Sequence, residues 1–431
     1  MKKRISVILC LVMALTLCLG AVSASAEEEH EPITLRMSWW GGEERAAATL
    51  AAVDAFMAKY PWITVECEYA SFDGWQEKCA TQLAGGTAPD LMQINWNWMY
   101  QFSSDGSKFV DLNQYTDIID LSNYTQAQLD SMTLAGKLQG LPISMTSKLF
   151  FFNKTTYDKA GIALPTTWDE LMAAGDTFQE KLGEDYYCMR ADGWERMWLM
   201  CWYLQQKYGK PWVENYECQY TVEEVTDGLN FINELEAHHV FPTIYDYQND
   251  GYNDLYTNPK WMSGQYAGIA EYDTAITELI DSLNDDQEMV IGGYMTMDDA
   301  HPFGMAKVSQ AFAVTESSQY KEEAVMLMNF LLAEDEGVKL METQRGIPVN
   351  QHAKAVLEEA GLVNEDVLAA NTVAMENSAY SFDPNFEHAD LKETTGVYYE
   401  VFELLSAGGD PAELAEYLID SVNTVNQENM Y

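Results

Sequence analysis

The sequence predicts an α/β protein built in two lobes, and three observations carry that prediction. Its 431 residues, 47% of them hydrophobic, exceed what one core supports, since single cores stop growing near about 250–300 residues. After residue 30, short β-rich runs alternate with helical periodicities, the order that winds a parallel sheet. At Gly140-Leu141-Pro142 that pattern restarts, which marks a second unit.

Residues 1–26 stand apart from the fold. Lys2, Lys3 and Arg4 precede an apolar run from Ile5 to Leu19, and Ala24-Ser25-Ala26 forms a cleavage site before Glu27. The chain is therefore expected to be exported: extracellular, cell-surface associated or periplasmic. Leu17 is large where a lipid-anchor signal carries a small residue, so simple cleavage is expected rather than anchoring at Cys18. No later apolar run approaches the roughly 20 residues that cross a bilayer. The formal net charge is −44, from 24 Lys+Arg against 68 Asp+Glu, and removing the three signal cations makes it −47. Nucleic-acid binding, which needs basic patches, is disfavoured. Cys67, Cys79, Cys188, Cys201 and Cys218 remain after the signal, an odd number without the spacing of a disulfide framework or zinc site.

Taken in order, Ile33 to Ser38 alternates as a strand and ends in Trp39-Trp40-Gly41-Gly42, and Glu43-Glu44 places acids at the positive end of an Ala-rich helix. Ile63 to Tyr69 is the next strand, and Asp73 is the expected N-cap of a helix running to Leu83. That helix breaks at Gly85-Gly86 and turns through Ala88-Pro89, and Asp90 to Ile94 forms a buried strand aimed at Asn95, Trp96, Asn97 and Trp98. Ligands of open α/β sheets sit beyond the carboxyl ends of the strands. Rings interleaved with amides at such an edge suit a polar molecule with apolar faces, such as a sugar. Neighbours on a strand face opposite ways, so one of Trp39 and Trp40 can be buried while the other is exposed.

In the second half, Leu149 to Phe152 is an apolar strand and Asn153-Lys154 opens a segment ending at Gly161. Thr167 is placed to cap a helix with Glu170 as its capping-box partner. Asp192-Gly193-Trp194 begins a helix carrying Trp198, Trp202 and Tyr203, and Ala267 to Glu271 is a strand ending in Tyr272-Asp273-Thr274. Phe312 to Val314 is a strand and Glu323 to Leu332 a helix. Glu365 to Tyr431 is largely helical in pattern, with a break at Gly408-Gly409-Asp410-Pro411.

The ordered motifs resemble the extracellular solute-binding proteins of ABC importers, in the large carbohydrate-binding family that includes maltose-binding protein. Gln82 and Gly85 with Pro89-Asp90, Gly140-Leu141-Pro142, Phe152-Asn153-Lys154, Ala160-Gly161 with Pro165 and Thr167 to Glu170, Gly264 to Ile269, and Gly346-Ile347-Pro348 carry the resemblance across nearly all of the mature chain. It implies a periplasmic-binding-protein-like fold of class II type, with a ligand cleft between the lobes and a helical C-terminal region. The lobes would be 31–142 plus 300–343 and 143–299 plus 344–431, with hinges near Pro142 to Ser144, Asp299 to Pro302 and Thr343 to Pro348. By resemblance the cleft draws on Trp39, Trp40, Glu43, Asn95, Trp96, Asn97, Thr146, Asp192, Trp194, Glu271, Tyr272 and Tyr398, with Asp273 beside them. Thr146 stands where the maltose binder has an acid and Tyr398 where it has a Trp, so a sugar other than maltose is implied. The implied partners are a carbohydrate and a membrane permease, and the chain is expected to act as a monomer without cofactor or metal.

Catalytic signatures are missing: there is no Gly-x-Ser-x-Gly elbow, no His-Glu-x-x-His and no phosphate loop. His238-His239 has no metal-ligand companion at a recognisable spacing. Asp246 to Gly251 departs from a calcium loop at Gln248 and Thr257, and reads as a surface turn. Two alternatives stay open: a binder of a cationic or amino-containing solute, suggested by the acids near the cleft, and a secreted glycoside hydrolase, which needs only two suitably spaced carboxylates.

Overall fold

The computed structural model describes residues 30–72, 74–250 and 255–430. The signal segment with Cys18, the expected Asp73 cap and Gly251 of the acidic turn lie outside the described residues. Strands β1 (Ile33–Trp40), β2 (Ile63–Ala70) and β3 (Leu91–Asn95) are parallel, with β1 between the other two. They are joined by α1 (Glu43–Lys59) and α2 (Trp75–Gly85). Helix α1 buries Ala46, Thr49, Ala52, Val53 and Phe56, a stripe at helical spacing that lies on the sheet. Gly86 ends α2 in the left-handed conformation at φ 65°, where a residue without Cβ is unstrained.

Beyond β3 the chain turns directly into helix α3 (Trp96–Ser103), because the Asn95 side chain accepts from the Trp96 N–H and caps it. The residues at which this strand is aimed, Asn95 to Trp98, are therefore the cap and first turn of a helix. Strand β4 (Leu141–Thr146) completes this sheet, and β5 (Lys148–Asn153), β6 (Gly268–Tyr272) and β7 (Met289–Gly293) build a second one. The second sheet is antiparallel with β5 in the centre, and Leu149 to Phe152 are buried on both faces. Strand β8 (Met305–Val314) returns to the first sheet and runs antiparallel to both β3 and β4, with the short β9 (Tyr380–Ser381) beside its start.

The chain passes between the sheets at Ser147 and in the approach to β8, whereas past Pro348 the helix Gln351–Ala360 still packs on the first lobe's helices Lys321–Ala333 and Asp335–Met341. The first crossing is tied to the second, where the Ser147 hydroxyl donates to the Met305 carbonyl at 2.7 Å, and just before it Ser144 donates to the Arg345 carbonyl at 2.6 Å. It lies just past the Pro142 to Ser144 segment, which is paired inside β4. Asp273 holds the same crossing from the second lobe, accepting from the Thr146 hydroxyl at 2.5 Å, the Ser147 N–H at 3.3 Å and Asn371 at 2.6 Å.

Four helices matter for the site and the C-terminal cap: α4 (Gly193–Tyr208), α5 (Glu365–Glu376), α6 (Val397–Ser406) and α7 (Pro411–Glu428). At residues 167–170 the expected capping box is half formed: Thr167 accepts from the Glu170 N–H, but the Glu170 carboxylate reaches back to Thr166. A complete box opens α4, where Asp192 accepts from the N–H groups of Trp194 and Glu195 while Glu195 accepts from that of Asp192. Gly193 is required by packing: a Cβ there would lie 2.8 Å from Tyr399 Cγ and 2.9 Å from its Cα. The five cysteines carry no disulfide.

Gly193→Ala gives a clear test of that packing. A helical Gly→Ala change ordinarily gains roughly 0.5–1 kcal/mol. Here overlap with the α6 backbone is expected to reverse the sign and cost about 1–3 kcal/mol. Urea unfolding of both proteins measures it, and a variant as stable as the parent would overturn the packing account.

Candidate functional site

A cavity of about 660 Å³ opens between the lobes. Glu43, Glu44 and Arg45 at the start of α1 form one wall, and Glu271, Tyr272, Thr274 and Glu278 at and beyond the end of β6 form the other. Gln310 of β8 and Arg345 close its hinge side.

Tyr272 is held from every direction. Its hydroxyl donates to Glu387 at 2.7 Å, and that carboxylate is gripped by Lys307 and, at 3.4 Å, by Lys392. The ammonium groups of Lys148 and Lys307 lie 5.2 and 5.1 Å from the ring centroid, close enough for cation–π attraction. Beneath the ring, Lys148 is 1% exposed and pairs with Glu195 and Glu271, both at 3.3 Å, while donating to the Ala270 carbonyl. Arg190 extends the network to Asp192 and Glu195 at 3.4 Å and to the Tyr247 hydroxyl at 2.8 Å. Buried ions are tolerated where every partner is in place, so this floor is rigid by necessity.

The network splits the carboxyls. Burial raises Glu195, and the Arg190 and Lys148 charges do not offset it. Burial would raise Asp192 too, but the Glu195 hydrogen bond and Arg190 override it and hold that carboxyl well below the usual range. Burial also lowers the Lys307 ammonium to about 8 despite its Glu387 partner.

The expected site residues fall into three places. Glu43, Glu271 and Tyr272 line the cavity. Thr146 and Asp273 bond to each other behind it, while Asp192 and Trp194 belong to the charged floor, with Lys392 5.0 Å from the Trp194 ring. The third set packs against other rings: Trp39 under Tyr69, Trp40 against Phe72 and Trp98, Trp96 against Phe382, and Tyr398 stacked on Trp194 at 6.0 Å. Asn95 is a helix cap and Asn97 is buried in the first turn of α3. Sequence reasoning missed Arg45, Tyr256, Glu278, Gln310 and Arg345 on the cavity wall, and Lys148, Arg190, Lys307 and Glu387 in the floor. The signal available for the cations was their scarcity, 24 in 431 residues.

A family model for bacterial extracellular solute-binding proteins matches residues 40–338. The chain belongs to this family. Among solved solute-binding proteins, one from Pectobacterium atrosepticum is 35% identical, with a TM-score of 0.85 over 92% of this chain and 100% of that one. An oligogalacturonide-binding protein from Yersinia enterocolitica, solved with saturated digalacturonic acid, is 32% identical, with a TM-score of 0.84 over 92% of this chain and 100% of its own. An arabinooligosaccharide-binding protein of Halalkalibacterium halodurans is 22% identical over 218 residues, 47% of this chain and 48% of that protein. As a solute-binding protein, the chain carries the two-lobed fold that the resemblance implied. No helix of the described residues is long and apolar enough to cross a membrane.

The raised Glu195 carboxyl sets a pH dependence. A carboxyl raised by folding adds stability in full only below its unfolded value of about 4.3, and that contribution is lost as pH rises towards the folded value. Glu195→Gln stays neutral throughout. The variant's melting temperature minus the parent's should therefore move in the variant's favour between pH 5 and pH 8. A difference that is flat, or that moves the other way, would refute the assignment.

Proposed function

We propose that this solute-binding protein captures an oligosaccharide outside the cell and delivers it to the permease of an ABC importer, as a binder rather than a catalyst. The observation that carries this reading is the cavity between the lobes, whose size falls within the roughly 300–1,000 Å³ of small-ligand sites. One wall presents the fixed Tyr272 ring. Aromatic faces pack on the axial C–H bonds of pyranoses, and Glu43, Glu271 and Gln310 supply hydrogen-bond groups for hydroxyls. The two similar proteins named for oligosaccharides support the same class.

Asn95, Trp96, Asn97, Thr146, Asp192, Trp194, Asp273 and Tyr398, with Trp39 and Trp40, act here largely by shaping and holding the walls. The lobe holding β1–β4 and β8 closes on the lobe holding β5–β7 by rotation near Ser147 and Met305, since closure is absorbed by a few element-terminal residues. The closed monomer is what the permease meets.

A thermal-shift screen of mono- and oligosaccharides on the mature chain tests this reading. A true ligand at a hundred times its Kd should stabilise the protein by about 2.7 kcal/mol, and prolonged incubation should leave the saccharide uncut. Tyr272→Ala should weaken binding at least about tenfold if it removes an aromatic contact and its ordered partners. No shift across the panel, or cleavage of a bound sugar, would sink the proposal.

A further inference from the structure

Two guanidinium groups, those of Arg45 and Arg345, meet at the hinge side of the cavity. Arg45 donates to the backbone carbonyls of Gln344 at 2.9 Å and Trp40 at 3.3 Å. Arg345, 3% exposed, donates to the side chains of Gln93 at 2.7 Å and Thr49 at 3.0 Å. All four oxygens are neutral acceptors. Among the described residues no carboxylate lies within ion-pair distance of either arginine, in a chain with 68 acids. The Arg345 Nη2 is buried and has no hydrogen-bond partner, and neither has the neighbouring wall atom Gln310 Oε1.

An uncompensated buried cation is costly, and evolution normally pairs it. Arg345 is instead fixed by neutral groups with one N–H edge left unmatched, on the wall of the cavity that would hold the ligand. Burial, and then the charge of Arg45, pull its pKa well below the usual arginine range, which reflects the missing anion. Among the cavity acids, Glu278 acts on Arg45 through its charge without forming an ion pair, while the charge acting on Arg345 is that of Arg45. Glu271 is taken up by Lys148, while Glu43, Glu44 and Glu278 are exposed at the mouth, where solvent and salt screen them.

We propose that Arg45 and Arg345 form a carboxylate subsite, so that the saccharide this protein takes carries a uronic acid. The inference rests on the oligosaccharide reading above. A guanidinium matches the planar carboxylate with paired N–H groups, and Gln310 accepts from an adjacent hydroxyl. The exposed acids at the mouth favour a singly charged carboxylate over a doubly charged phosphate ester.

Calorimetric titration of the mature protein with digalacturonate, with digalactose of the same linkage and with galactose 1-phosphate tests the proposal. Digalacturonate should bind at least about tenfold more tightly than digalactose, and only the uronide affinity should fall as sodium chloride is raised. Arg45→Gln, and Arg345→Lys with its fold checked by circular dichroism, should erase that preference by weakening digalacturonate more than digalactose. Equal or reversed preference, tighter binding of the phosphate ester, or a preference that survives both variants would overturn the subsite. Binding of neutral saccharides alone removes this inference and leaves the oligosaccharide reading standing, whereas failure of every saccharide removes both.

Discussion

The architecture depends on where β8 pairs. A strand arriving after two-thirds of the chain inserts antiparallel between β3 and β4, satisfying the backbone groups of both. Open edges left there would be unpaired and prone to association. Because β8 follows directly from the second sheet, that pairing obliges the chain to cross between lobes, and the crossings at Ser147 and Met305 come to lie side by side. The cavity exists because the two sheets are joined at this seam and apart in front of it.

Charge is distributed on a different principle. Most of the 68 acids stand in solvent, where they contribute little individually. The few charges that matter are buried around Tyr272, where Lys148, Arg190, Lys307 and Lys392 meet Asp192, Glu195, Glu271 and Glu387. There each carboxylate fixes a cation and each cation fixes a ring or a helix start. Removing one partner leaves another ion buried and unmatched, which is why the floor keeps a single geometry. Arg345 departs from this pattern by being held without an anion.

The elements themselves were legible in the sequence because their causes are local. Alternation marked β1, acids before an Ala-rich run marked α1, glycine ended α2, and Asp192-Gly193-Trp194 marked the start of α4. The wall residues Glu43, Glu271 and Tyr272 were named by the family resemblance, and in the structure they stand at strand or helix ends facing the cavity. The rings at Trp39, Trp96 and Tyr398 show the limit of that reasoning: composition marks an aromatic, but only the neighbours decide whether its face meets solvent or another ring.

By itself the sequence determined the alternation of strands and helices, the caps and breaks that bound them, and the family to which their order belongs. Only the tertiary structure decided that the second sheet is antiparallel and that Asn95 caps a helix. It also decided that Arg45 meets the backbone of Gln344, 299 positions away. Periodicity and capping act over a few residues and leave a trace in the chain, whereas a pair of charges brought together by a late strand has no local signature.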